Sequence, residues 1–153
     1  INLGFVSPAG LVSPAFYDDK DLGFLRAFFA GFLTTCGLTT LGAPCTDGGE
    51  QLPLHGTIAN QPCERIWWTE DDSAIEIHAI INDSGIFSRK LELHRVITVS
   101  KTENELTITD TVENRGDAPS PFMMMYHMNY KKLRRLEQQV CCQSSALQRD
   151  EPY

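Results

Sequence analysis

No run of apolar residues in this sequence approaches the ~20 that a membrane-spanning helix requires, so no membrane segment is expected. Basic residues are scarce beside acidic ones: 13 Lys and Arg stand against 20 Asp and Glu, a net charge of -7. That balance argues against a nucleic-acid partner, which needs a basic face. Close cysteine pairs are missing too. Cys36, Cys45, Cys63, Cys141 and Cys142 are odd in number and contain no C-x-x-C spacing. Zinc sites normally show such pairs, so neither a metal nor a cofactor is expected, and reduced thiols in a cytoplasmic protein are the simplest reading. An initiating methionine and a secretory pattern are also absent, since the chain starts at Ile1. The expectation is a segment that begins inside a longer product or behind a removed tag.

The 153 residues are enough for one domain, because a chain of this size buries roughly 68–70% of its unfolded surface. Residues 1–16 are apolar but broken by Pro8, Gly10 and Pro14, which forbids a helix interior or a central strand and predicts an extended, packed loop. Asp18, Asp19 and Asp21 offer caps for a short helix over 22–30, ended by Gly31, with Leu22, Leu25, Phe28 and Phe29 on one face. A short strand over 32–36 follows, closed by Gly37. Gly42, Pro44, Asp47, Gly48 and Gly49 make 42–49 read as a loop of turn formers.

From Cys63 the pattern changes to period two. The segment 65–69 carries Ile66, Trp67 and Trp68. Over 74–82, Ile75, Ile77, Ala79 and Ile81 alternate with Glu76 and His78. Over 91–100, Leu91, Leu93, Ile97 and Val99 alternate with Glu92, His94, Thr98 and Ser100. Over 105–114, Leu106, Ile108 and Val112 alternate with threonines. These predict half-buried antiparallel strands with one wet face, a hairpin turn at 101–104 and a last strand over 122–130. Glu70, Asp71 and Asp72 read as a solvated turn, and His78, His94, Glu76 and Glu92 as surface residues of the polar strand faces. Residues 131–148 have no β pattern. Leu133, Leu136, Val140 and Leu147 recur at helical spacing among lysines and arginines, which predicts an amphipathic helix after an all-β body.

The centre of this organisation is Leu52-Pro53-Leu54-His55-Gly56-Thr57. A histidine between apolar residues and a glycine is held near backbone, where another strand or a ligand can approach closely. Delivered by a loop to the rim of a sheet, His55 suits acid–base work, although a lone His-Gly is more often structural. A second candidate, His127, lies in Met125-Tyr126-His127-Met128-Asn129.

Together with Leu33-Thr34-Thr35-Cys36-Gly37-Leu38 and Ser88-Arg89-Lys90-Leu91-Glu92-Leu93-His94-Arg95, the two histidine phrases resemble the uncharacterised, DUF4432-like branch of the aldose 1-epimerase (galactose mutarotase-like) superfamily. The resemblance covers residues 1–130. It implies a mainly β fold, part of a galactose mutarotase-like antiparallel β-supersandwich, to which the short N-terminal helix and a C-terminal amphipathic helix (131–153, outside the family) are added. It also implies an aldose in an open cleft, opened and reclosed at its anomeric carbon. One histidine protonates the ring oxygen, a role that falls to His127. Another holds the sugar, a role that falls to His55. Imidazole suits both, since its ordinary pKa of about 6.5 lets it exchange protons near neutrality. Asn129, Arg65 and Trp67 are the expected sugar contacts. Trp67 and Trp68 point to opposite faces, so one at most meets the sugar and the other is expected in the core. The family tends to place an arginine after His-Gly. Here it is Thr57, and Arg65 could stand in for it.

The glutamate that takes the anomeric hydroxyl proton in such enzymes has no match here, and the family domain is about twice as long. The expectation is therefore a truncated sugar-binding relative with impaired turnover. Two alternatives stay open: an active epimerase that draws a carboxylate from elsewhere, and a structural module. Half a sandwich leaves an apolar face bare, so a homodimer is expected, with the 131–148 helix in its contact.

Overall fold

The computed structural model describes residues 5–6 and 23–129. The helix expected over 131–148, its dimer contact, Cys141, Cys142 and most of the loop expected over 1–16 lie outside the described residues. In chain order the elements are β1 (Phe5–Val6), α1 (Gly23–Ala27), β2 (Ala30–Gly31), β3 (Leu33–Leu38), β4 (Cys45–Asp47), β5 (Glu50–Leu52), a 3-10 turn (Ile58–Asn60), β6 (Cys63–Glu70), β7 (Ala74–Ser84), β8 (Lys90–Ser100), β9 (Leu106–Asn114) and β10 (Met123–Met128).

The period-two segments form one antiparallel sheet in the order β6-β7-β8-β9. Alternation sorts its residues onto two faces. On the inner face Ile81 lies opposite Leu93, Ala79 opposite Arg95 and Ile77 opposite Ile97; on the outer face Ile80 lies opposite His94. Trp67, opposite His78, belongs to the outer face as well. The expected hairpin joins β8 to β9, with Val99 opposite Leu106.

A second layer covers part of the inner face. β3 and β10 pair antiparallel, with His127 opposite Thr34 and Met123 opposite Leu38. Leu38 from β3 and Ile58 from the 3-10 turn pack on Ala79, Ile81, Leu91 and Leu93, and Val112 and Met124 close around them. Leu38 and Leu93 are completely or almost completely buried. Each such leucine contributes about 1.5–3 kcal/mol relative to exposure, so this cluster anchors the two layers. The result is a mainly β, antiparallel sandwich.

Three sequence expectations are corrected here. The helix stops at Ala27 rather than residue 30, because Ala30 and Gly31 take positive φ (65° and 75°) and pair with β1 instead. Its buried residues are Gly23, Phe24 and Ala27, while Leu25 and Phe29 are exposed. The segment 42–49 is not all loop: β4 and β5 form a hairpin in which Asp47 faces Glu50 across Gly48-Gly49. Both glycines have positive φ (55° and 85°), as a tight two-residue hairpin turn demands. Neither tryptophan joins the core. Trp68 sits on the inner face beyond the second layer and is 70% exposed.

β6 carries one irregularity. Cys63 lies opposite Ile81 and Arg65 opposite Ile80, so Glu64 is an extra residue. This β-bulge lets Cys63 and Ile66, three residues apart, both face inward.

Candidate functional site

His55 is built into the rim of the second layer by backbone contacts. The Gly37 N–H donates to the His55 carbonyl at 2.8 Å, and Gly37 and Gly56 form a parallel bridge. Glycine is required at position 56: its φ is +74°, and a β-carbon there would run into the Gly37 carbonyl. His55 itself has φ +58°, a conformation that costs an L-residue ~1–2 kcal/mol. Its N–H donates to the Gly42 carbonyl at 3.1 Å. The Gly42 N–H in turn donates to His55 Nδ1 at 3.2 Å. An Nδ1 that accepts carries no proton, so the neutral ring presents Nε2–H as a donor.

His127 sits mid-strand in β10. The Asn129 side-chain amide donates to the His127 carbonyl at 3.0 Å, and the Asn129 N–H donates to the Phe32 carbonyl at 3.2 Å. Asn129 thus secures the end of the strand beside His127. His127 Nδ1 is buried with no hydrogen-bond partner among the described residues. An orphan of this kind costs about 1–3 kcal/mol, and His78 Nδ1, His94 Nε2 and Thr39 Oγ1 share it.

The helix α1 and the residue just after it join the two histidines. Phe24 meets the His55 ring edge-on at 5.2 Å between centroids, and Phe28 meets His127 at 5.1 Å. Phe24 and Phe28 are themselves 5.2 Å apart. The two imidazoles are therefore brought to one aromatic pair, linked through it rather than packed on each other.

Phe24 and Phe28 also line a cleft of about 380 Å³ between the layers, with Ile66, Ile77 and Arg95 on its sheet side. Neither histidine lines it. Arg95 is tied down within this cleft. It donates to both Asp110 oxygens at 2.8 and 2.6 Å and to Thr35 Oγ1 at 2.5 Å. The Tyr126 hydroxyl donates to Asp110 at 2.7 Å. Burial opposes the charge on Arg95, but the hydrogen bonds and charge of Asp110 outweigh it and raise the guanidinium pKa.

Arg65 and Trp67 are not brought to the histidines. Both lie on the outer face, where the Arg65 guanidinium sits 4.8 Å from the Trp67 ring centre. The physical reason is strand alternation: Trp67 pairs with His78, whose neighbours Ile77 and Ala79 face inward. His78 and His94 correct the surface reading. They are half-buried, and Trp67 stacks on His78 at 4.9 Å and 5° and on His94 at 5.8 Å.

The arginine linked to Thr57, through a shared carboxylate, was not singled out by the sequence. Thr57 Oγ1 donates to the buried Asp83 at 2.9 Å, and Arg89 donates to the same carboxylate through Nε at 3.2 Å and Nη2 at 3.3 Å. Arg89 also reaches Glu50 of β5 at 2.6 Å. Here too burial works against the charge, and Asp83 and Glu50 together raise the Arg89 pKa. The phrase Ser88-Arg89-Lys90 was the available signal, but its partner Asp83 stood hidden at the end of a strand.

Residues 1–132 match the model of a domain of unknown function, DUF4432. The chain belongs to the DUF4432 family. A crystal structure from Klebsiella pneumoniae subsp. pneumoniae MGH 78578, provisionally named an aldose 1-epimerase, is similar to this DUF4432 chain with a TM-score of 0.74 and 25% identity. The similarity covers 84% of this chain and 35% of that one, so the chain spans about a third of that protein's length. No curated protein matches it. The fold of this family member is thus epimerase-like. Among its described residues no helix is long and apolar enough to cross a membrane.

Proposed function

We propose that this DUF4432 chain binds an aldose through His55 and His127, in the manner of an aldose 1-epimerase site. His55 donates from Nε2 to a sugar hydroxyl. His127 donates to the sugar's ring oxygen, one half of the proton exchange that opening and reclosing the ring requires; the other half needs a base that takes the proton of the anomeric hydroxyl. Asn129 supports His127 from behind rather than contacting sugar, and Arg65 and Trp67 have no part in this site. The observation that carries the reading is the meeting of two separate histidine phrases on the single Phe24–Phe28 pair.

Turnover needs a base for the anomeric hydroxyl. No residue is assigned that part here, so the reading is binding with impaired turnover. Calorimetric titration of the chain with a panel of aldoses tests it. Saturable heat with one or more sugars, abolished by His127→Asn and by His55→Gln in variants that still fold, is expected. No heat with any aldose, or binding that both variants retain, overturns the reading. Anomer exchange measured by NMR on the binding-competent chain then distinguishes a binder from an enzyme, provided the uncatalysed rate is subtracted.

A further inference from the structure

His55 is held in a backbone conformation that a β-carbon resists, and a residue stays there only when its surroundings over-determine it. Toward the N-terminal side the restraint is Gly42, which bonds both the His55 N–H and its Nδ1. Toward the C-terminal side the His55 carbonyl accepts from the Gly37 N–H and Gly56 bridges to Gly37, and the first side-chain anchor beyond that backbone contact is Thr57. That residue is buried, and its hydroxyl is spent on Asp83. Asp83 is 2% exposed and would be costly there as a lone charge, but Arg89 neutralises it with two nitrogens. Arg89 then extends to Glu50 on the hairpin. That hairpin begins just after Gly42, the residue that caps His55 Nδ1. The network therefore closes on itself: Gly42, His55, Thr57, Asp83, Arg89, Glu50 and back along β5 and β4.

We infer that Asp83 and Arg89 are positioning residues for His55: through Thr57 and Glu50 they hold both sides of the histidine, so that Nδ1 meets the Gly42 N–H and Nε2–H faces the ligand. The inference rests on the aldose-binding reading for its purpose, but its mechanical content concerns the free protein.

Imidazole nitrogen-15 NMR tests it on the full chain. With Nδ1 fixed as acceptor, the two ring nitrogens of His55 resonate far apart, one as a bare nitrogen and one as N–H. Thr57→Val removes the hydroxyl with little change in shape, and Arg89→Met removes the bridge. Both are expected to bring the two resonances together as the tautomers mix, and to weaken aldose binding about 10-fold. Thr57→Ser and Arg89→Lys are expected to restore most of the separation. A purely structural role would lower the melting temperature and leave the tautomer in place. Unchanged separation in both Thr57→Val and Arg89→Met overturns the inference, even if aldose binds. Collapse of the separation in a chain that binds no aldose upholds the positioning role and discards the sugar reading alone.

Discussion

Gly37 and Gly56 approach so closely that Gly56 has no room for a side chain, and Gly37 has none because of the strand on its other side. A β-carbon on Gly56 would meet the Gly37 carbonyl, and one on Gly37 would meet the Met123 carbonyl in the strand beyond. Three backbone segments, from β10, β3 and the His55 turn, are thus stacked edge to edge through two glycines.

Gly56→Ala is therefore expected to destabilise the chain by roughly 2–4 kcal/mol, from a positive φ and a backbone collision together. Urea denaturation reads the change as a lower midpoint at unaltered slope. A shift within experimental error would show that the close approach relaxes freely.

Asp110→Asn tests the ion pair in the cleft. Arg95 and Asp110 have side chains 17% and 3% exposed, so removing the carboxylate charge leaves a largely buried guanidinium with neutral acceptors alone. A loss of about 3 kcal/mol is expected. The double variant Arg95→Met with Asp110→Leu should recover part of it, since an apolar pair replaces a bare charge. Equilibrium denaturation of the three chains decides.

Cys36 has the pH signature. Burial pushes its thiol from 9.0 up to about 11. The folded chain thus keeps a proton that the unfolded chain releases from about pH 9 upward. Stability from this group is intact below the unfolded value and is lost as pH rises between the two. The urea midpoint of the wild type should fall more steeply over that window than that of Cys36→Ala. Exposed Cys45 and Cys63 should also react with a thiol reagent at neutral pH in the folded state, while Cys36 waits for unfolding.

The two tryptophans should differ optically. Trp68 is largely exposed and Trp67 is stacked against His78. Acrylamide should quench one emitting population readily and the other poorly, and Trp68→Phe should remove the readily quenched one. Equal quenching of both residues would contradict the faces assigned to β6.

The large sheet was legible because alternation along β7, β8 and β9 is nearly unbroken, and a half-buried strand has to alternate. The same rule gave Trp67 and Trp68 opposite faces but not their burial, which depends on how far the second layer reaches. The β4–β5 hairpin was missed because only three residues flank each side of Gly48-Gly49 and none carries an apolar alternation, although paired glycines are themselves a hairpin signal. Periodicity alone left His55 and His127 unconnected. Residues far apart in sequence are brought together only by tertiary pairing, and in the coordinates the two rings connect through Phe24 and Phe28. Asp83, the most buried carboxylate of the network around Thr57, sits in a strand's polar phrase and had nothing local to distinguish it.

The positive φ of His55 sets two demands on that position against each other. For backbone ease alone glycine or asparagine would serve better, since both enter the left-handed region readily. A library randomised at residue 55 and screened for heat resistance should enrich those two and discard histidine. Screened for ligand capture, it should return histidine despite the weaker fold. Selecting this chain by melting point alone would, at this one residue, discard the imidazole on which the proposed sugar site depends.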